Sequence, residues 1–356
     1  MPYLDANATE PLRPEARAAV LAALDLVGNP SSVHGLGRAA RRVLEDSRAA
    51  VAAAFGALPE GVVFTSGGTE ANAHAVAALG GGRRVIVGAT EHDAVRAAAP
   101  GALVWRVGAD GVADLAALGA LLADGPALVC LMFANNETGT LQPVMEAAAL
   151  CRRHGALLHV DAVQAAGRIP VDLAALGAHS LAVSSHKLGG PKGAGALLLA
   201  AGQELGPLIA GGGQERGRRG GTPALPAIAG LAAAAAAAPA DLLAMREAVE
   251  RLALACGAVV LGGVHRLPNT ACLGLPGVRA DTQVIALDLA GVQVSAGAAC
   301  SSGKVARSHV LDAMGLGALA GEAIRVSLPW NAAWDDVHAF AAAYAAMAAR
   351  LGKRAA

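Results

Sequence analysis

Five times in succession the chain runs from a short, continuous apolar segment into a tip of chemically able residues and then into a helix-like stretch. Val62-Val63-Phe64-Thr65 leads into Ser66-Gly67-Gly68-Thr69-Glu70, and Arg84 to Val87 leads into Thr90-Glu91-His92. Ala127 to Phe133 ends in Asn135-Asn136-Glu137, Ala156 to Val160 in Asp161-Ala162-Val163-Gln164, and Leu181 to Val183 in Ser184-Ser185-His186-Lys187. Strands that are apolar throughout, rather than at alternate positions, are buried on both faces; in a chain that alternates strands with helices this means a mostly parallel sheet covered on either side. Ligands of such sheets bind beyond the carboxyl ends of the strands. Every polar tip stands at such an end, so the pattern specifies an α/β fold and the edge of it where the chemistry belongs.

A chain of 356 residues has room for two domains. The composition changes after Pro239, from the alanine tract Ala232 to Ala238 into a charged helix from Asp241 to Leu254, short strand-like runs near Val259 and Ala271, and an apolar helix from Gln283 to Leu289. We expect a large domain over residues 13–242 and a smaller α+β domain formed by residues 1–12 and 243–356. Aromatics are 3% of the chain against 54% hydrophobic residues, so the core must be built from Ala, Val and Leu in closely approaching elements. Lys+Arg 28 balances Asp+Glu 28, and without a basic footprint no nucleic acid is expected as a partner. The N-terminus lacks the basic and apolar regions of a signal peptide, and the run from Leu231 ends at Pro239, far short of a membrane span. The expectation is a cytoplasmic protein with no membrane partner.

The tips together supply a site for pyridoxal phosphate. Lys187, at the end of a buried strand, can be kept dry enough to act as an amine and form a Schiff base. A carboxylate, Asp161, suits the pyridine nitrogen and favours its protonated form, the electron sink for a carbanion at a substrate's α-carbon. His92 offers an imidazole for the ring face, and Gln164 can reach the phenolic oxygen. Thr69, Ser184 and His186 are donors for the phosphate. The segment 66–70 reads as an anion cup, with free N–H groups and a helix dipole; it serves equally as a plain strand-to-helix turn capped by Thr69.

The five cysteines are odd in number and include no Cys-x-x-Cys pair, so neither a disulfide framework nor a metal site is indicated. Cys130, Cys151, Cys256 and Cys272 have the apolar or small neighbours of core residues. Cys300 instead lies in Ser295-Ala296-Gly297-Ala298-Ala299-Cys300-Ser301-Ser302-Gly303, a small, polar setting that suits a thiol on a movable loop. Gly297 to Lys304 is not a nucleotide loop, because five residues separate Gly297 from Gly303 and Val305 stands where Ser or Thr is needed.

Ordered strings then give the chain a resemblance. Tyr-Leu-Asp-x-x-Ala-Thr at 3–9, Gly-Asn-Pro-Ser-Ser-x-His at 28–34, Thr-Ser-Gly-Gly-Thr-Glu at 65–70 and Asn-Asn-Glu-x-Gly at 135–139 are followed by His-Val-Asp-Ala-x-Gln at 159–164 and Ser-x-His-Lys at 184–187. Gly-Pro-Lys-Gly-x-Gly at 190–195, Gly-Gly-Gly-Gln-Glu-Arg-Gly at 211–217, Ala-Cys-Ser-Ser-Gly at 299–303 and Ile-Arg-Val-Ser-Leu at 324–328 complete the series. The chain resembles the cysteine desulfurases, in the class V aminotransferase group of fold-type I pyridoxal-phosphate enzymes. The resemblance implies a homodimer that converts L-cysteine to L-alanine and leaves the sulfur as a persulfide on Cys300, for an acceptor protein such as an iron–sulfur scaffold. It implies Lys187, Cys300 and His92 as catalytic residues, with Gly68, Thr69, His92, Asp161, Gln164, Ser184, His186 and Lys187 around the cofactor. Thr222 would reach the phosphate from the second subunit, and Asn136 and Arg325 would hold the substrate carboxylate.

Four features depart from the family pattern. Pro329-Trp330 replaces the usual Gly-Arg after Ser327-Leu328, Glu10 stands where threonine is common, and Ser185 stands where glycine or alanine is usual. The chain also ends soon after Arg325, where housekeeping members carry a tail that docks a scaffold. The competing readings are a selenocysteine lyase or another class V enzyme, for which Cys300 discriminates, and a degenerate partner protein, against which Lys187, Asp161 and Cys300 speak.

Overall fold

In the computed structural model, which describes residues 1–297 and 307–351, the apolar segments form one seven-stranded sheet. Its strands are β1 (Val62–Thr65), β2 (Arg84–Gly88), β3 (Leu103–Trp105), β4 (Ala127–Met132), β5 (Leu157–Asp161), β6 (Ser180–Ser184) and β7 (Gly195–Leu199), in the order β1-β7-β6-β5-β4-β2-β3. β3, β2, β4, β5 and β6 are parallel, as continuous hydrophobicity predicts. β7 is the exception: it runs antiparallel to both neighbours, β6 and β1. Its apolar run Ala196-Leu197-Leu198-Leu199 follows a glycine-rich turn, too short a connection for the crossover that a parallel strand needs.

This inversion sets the geometry of the site. Gly195 at the start of β7 pairs with Thr65 at the end of β1 and with Ser184 at the end of β6, so the glycine cup and the lysine turn lie side by side across one residue. A Cβ on Gly195 would stand 2.7 Å from the Gly67 backbone, a separation that only glycine permits. The core below is small-residue packing: Ala16, Ala40, Ala52, Ala147 and Ala232 sit among Leu and Val, with Trp105 its largest fully buried side chain. The helix Leu225–Ala235 comes so close to its neighbours that a Cβ on Gly230 would meet Val20 and Pro191 at 2.7 Å.

A second sheet, antiparallel throughout, is ordered β10-β11-β9-β8 from β8 (Val259–Leu261), β9 (Thr270–Gly274), β10 (Ser295–Ala296) and β11 (Ala323–Ser327). The helices Leu243–Leu254 and Trp334–Leu351 cover it with Val249, Phe340 and Tyr344. The N-terminal arm joins this sheet, Tyr3 bridging Gln293 and Asp5 bridging Ser327, and buries Leu4 in the same core. The arm then reaches the turn after β6, where the Glu10 N–H donates to the His186 carbonyl at 2.9 Å.

Candidate active site

Ten of the residues singled out above line one cavity of about 290 Å³ beyond the strand ends: Gly68, Thr69, His92, Asn136, Asp161, Gln164, Ser184, His186, Lys187 and Arg325. Thr222 is not among them. It lies in a separate recess with Phe64, Thr65, Ser66 and Arg219. Cys300 lies outside the described residues. The residues that flank it on either side of the gap both approach Glu137: the Ser308 hydroxyl donates to its carboxyl group, and a Cβ on Gly297 would fall 2.1 Å from Oε2.

Asp161 ends β5 with its carboxylate fully buried, within the fields of His92 and Lys187. The Val163 N–H donates to Oδ1 at 2.9 Å and the Asn72 amide to Oδ2 at 2.7 Å. Asn72 is in turn fixed by His159, whose Nε2 lies 2.8 Å from its Oδ1 and whose Nδ1 lies 2.8 Å from Ser180 Oγ. Burial pushes His159 down to about 3, so this ring is neutral and serves as a spacer. Burial raises the Asp161 pKa, against the pull of these hydrogen bonds and of His92 and Lys187. Fixed by the Val163 and Asn72 donors, the carboxyl group would take a third hydrogen bond from a ring nitrogen placed in the cavity.

The turn Ser185–Lys187 follows β6 directly. Lys187 Nζ donates to the carbonyls of Asn7 and, at 3.0 Å, Ala8. His186 is pushed down to about 4 by burial, with Lys187, Lys192 and Arg168 adding to the effect; the neutral ring places Nδ1 3.0 Å from Thr9 Oγ1. His92 receives the Ala94 N–H on Nδ1 at 3.1 Å, so its neutral form carries the proton on Nε2. Arg325, on β11, is 3% exposed. It donates to Asp5 Oδ1 at 2.7 Å and to the Asn136 main-chain carbonyl at 3.1 Å.

At the cup, the helix Gly68–Leu79 begins after Gly67 with no side-chain cap, so Thr69 is not the N-cap. Thr69 lines the cavity instead. A Cβ on Gly68 would meet Val163 Cγ2 at 2.7 Å, so glycine brings the first free N–H groups of a twelve-residue helix up to the cavity wall.

Several supporting residues carried no separable signal in the sequence. Asn7 and Asn72 line the cavity but owe their roles to contacts with chain far away. Glu91 is fully buried beside Asp161 and Cys130; Oε1 accepts the Met132 N–H, and Oε2 has no partner among the described residues. Burial, then the nearby Asp161, raises its pKa well above the ordinary 4.5. With the folded pKa above the unfolded one, the native state holds a proton that the unfolded state has lost, so stability falls as pH rises between the two values. Glu91→Gln is therefore expected to unfold at a higher temperature than the parent at pH 7, the difference shrinking as pH falls toward the ordinary carboxylate range. Thermal unfolding of the cofactor-free protein across pH checks this; a difference independent of pH would contradict a protonated Glu91.

A lysine at a strand end, a buried acid in the same cavity and a glycine cup at a helix start together define a pyridoxal-phosphate site on a fold-type I scaffold. The chain belongs to the class-V aminotransferase family, whose pattern matches residues 2–340. It is 44% identical to a cysteine desulfurase of Cereibacter sphaeroides over 93% of this chain and 92% of that protein. It is 38% identical to an IscS-like cysteine desulfurase of Mycobacterium tuberculosis over 95% and 94%. Among solved structures, a NifS-like protein from Rickettsia africae superposes with a TM-score of 0.89 at 33% identity, covering 98% of this chain and 99% of that one. The residues fit the cofactor of this family. Asp161 would take the pyridine nitrogen, Lys187 the aldehyde carbon, and the Gly68 cup with Thr69, Ser184 and His186 the phosphate.

Proposed function

We propose that the chain is a pyridoxal-phosphate-dependent cysteine desulfurase. It converts L-cysteine to L-alanine, holds the sulfur as a persulfide on Cys300, and passes it to an acceptor protein. The convergence of Lys187, Asp161, His92 and Arg325 on one cavity carries this reading. Bound there, the cofactor supplies an electron sink for negative charge at the substrate's α-carbon. Arg325 receives the substrate carboxylate in a charge-assisted pair and, oriented by Asp5, fixes which bond of the α-carbon faces the ring. Lys187 moves the α-proton, and His92, with its proton on Nε2, is the acid or base on the ring face.

The Cys300 thiolate attacks the substrate sulfur. A sulfur–sulfur bond forms, the carbon–sulfur bond breaks and its electron pair stays with carbon, which takes a proton. Enzyme thiol plus cysteine gives enzyme persulfide plus alanine, so no outside oxidant or reductant is required. A homodimer, in which Thr222 of one subunit completes the phosphate site of the other, accounts for the distance of Thr222 from its own chain's cavity. No helix among the described residues is long and apolar enough to cross a membrane. Likeness to IscS-like cysteine desulfurases supports a cytoplasmic protein with an iron–sulfur scaffold among its acceptors.

The test is alanine and sulfide release from L-cysteine with a reductant present, for the parent and Cys300→Ala, while the cofactor spectrum is followed. The expected result is equimolar alanine and sulfide from the parent, and a variant that binds L-cysteine but releases almost no sulfide. Equal release by both would point to a lyase that does not use Cys300.

A further inference from the structure

Glu10 and Trp330, two departures from the family pattern that lie at opposite ends of the chain, meet at one carboxylate. Glu10 Oε2 accepts the Trp330 peptide N–H at 3.2 Å, and Oε1 accepts from Arg168 at 3.4 Å. The indole is tied down as well: its Nε1 donates to the Pro11 carbonyl at 2.8 Å, and the Arg13 guanidinium lies 4.9 Å from the ring centre. Both partners of the Glu10–Arg168 pair are 5% exposed. Arg168 Nη2 also donates to the Ala6 carbonyl at 3.3 Å, and on the cavity side Nη1 donates to the Gln164 main-chain carbonyl and to Gln164 Oε1, each at 2.8 Å.

That last contact decides which way round Gln164 stands. A guanidinium has five donors and no acceptor, so the atom it meets on an amide must be the oxygen. The amide nitrogen is then turned the other way, where it donates to the Asn7 carbonyl at 3.0 Å at the wall of the Lys187 cavity. With that donor gone, the Asn7 carbonyl is the one contact among the described residues left to hold the orientation, and the amide turns over more readily to present its oxygen, at nearly the same volume. The other charged group acting on Arg168 is Arg325, of like sign, so Glu10 supplies the counter-charge that keeps a fully buried guanidinium in place.

We propose that Arg168, held by Glu10, is a positioning residue that locks Gln164 with its nitrogen toward the cavity, so that the cofactor's phenolic oxygen meets a hydrogen-bond donor and never an acceptor. The inference rests on the pyridoxal-phosphate reading and adds two residues that touch neither cofactor nor substrate. A donor at that oxygen draws electron density from it and weakens its hold on the proton shared with the Lys187 linkage. The visible absorbance of the bound cofactor then changes at a lower pH than it otherwise would.

The test is a pH titration of visible absorbance in the reconstituted holoenzyme. The variants are Arg168→Lys, Arg168→Met combined with Glu10→Gln so that no unpaired carboxylate stays buried, Gln164→Ala, and all three changes together. The Met/Gln double variant is expected to raise the midpoint by about one pH unit, and Arg168→Lys, which keeps one donor, by less. In the Gln164→Ala background the double change should add nothing. An equal shift with and without Gln164 would mean that Arg168 acts through its charge alone, and an unchanged midpoint in a folded, yellow double variant would mean that it does not act; either overturns the proposal. If the double variant does not fold, Arg168→Gln, whose amide can present either atom to Gln164, gives the same comparison. A parent protein that stays colourless with added pyridoxal phosphate would overturn the cofactor reading, and this inference with it, a result distinct from a yellow parent whose variants do not shift.

Discussion

Lys187→Ala will take up pyridoxal phosphate without the visible band of a covalently held cofactor, and its turnover of L-cysteine will fall by about three orders of magnitude or more. The size of the loss follows from the lack of any substitute. His186, one residue away, is neutral and turned to Thr9. Arg325 is a guanidinium, which has donors only, and it is engaged by Asp5 and the Asn136 carbonyl. His92 stands on a different strand end with its Nδ1 engaged by the Ala94 N–H. Small exogenous amines should restore part of the activity, because the cavity keeps its shape when the side chain is shortened. Absorbance of the purified variant and single-turnover alanine release would settle the matter; a variant retaining a tenth of parental turnover would remove Lys187 from the mechanism.

Glu215→Ala should destabilise the fold by about 3–5 kcal/mol, the usual cost of stranding one half of a buried ion pair. Glu215 sits in the loop after β7 and meets Arg48 in a two-pronged pair, both contacts at 2.8 Å, with the Phe64 N–H donating to the same carboxylate at 2.9 Å. The Arg48 guanidinium lies 4.8 Å from the centre of the Phe64 ring. Glu215 and Arg216 have φ of 47° and 58°, left-handed values that non-glycine residues adopt only when their surroundings compel them. The pair is that compulsion. Adding Arg48→Met to Glu215→Ala should recover much of the loss, since no charge is then left buried alone. Urea unfolding of the four proteins of the cycle measures it, and a single-variant cost below about 1 kcal/mol would reduce the pair to the standing of a surface contact.

The sequence was most legible where one physical rule acts over several consecutive residues. Uninterrupted apolar strands give the large sheet, its parallel majority and the edge at which Asp161, Lys187 and His92 meet. β3 escaped notice because it is short and half open, with Val104 69% exposed. β7 escaped because its apolar run matches those of the parallel strands, and only the shortness of the turn before it marks its direction. The supporting residues escaped for a different reason. Asn72 acts on Asp161, Asn7 acts on Gln164 and Lys187, and Arg168, which touches Gln164 directly, is held by a carboxylate from the distant N-terminal arm. Such roles belong to pairs joined only by the completed fold, and no local periodicity encodes them. Cys300 was marked by its polar neighbours and by family likeness, and it lies outside the described residues.

The inverted strand also has a consequence for the order in which the molecule can be built. β1 is the first strand of the large sheet to be synthesised, yet among the described residues it pairs with β7 alone, and β7 is the last of the seven to be made. On a ribosome, Val62 to Thr65 must wait with an apolar, unpaired edge while five other strands emerge, a state open to mispairing. The arrival of Gly195 closes that edge and in the same step brings the anion cup against the lysine turn, so a nascent chain cannot hold its cofactor until the sheet is complete.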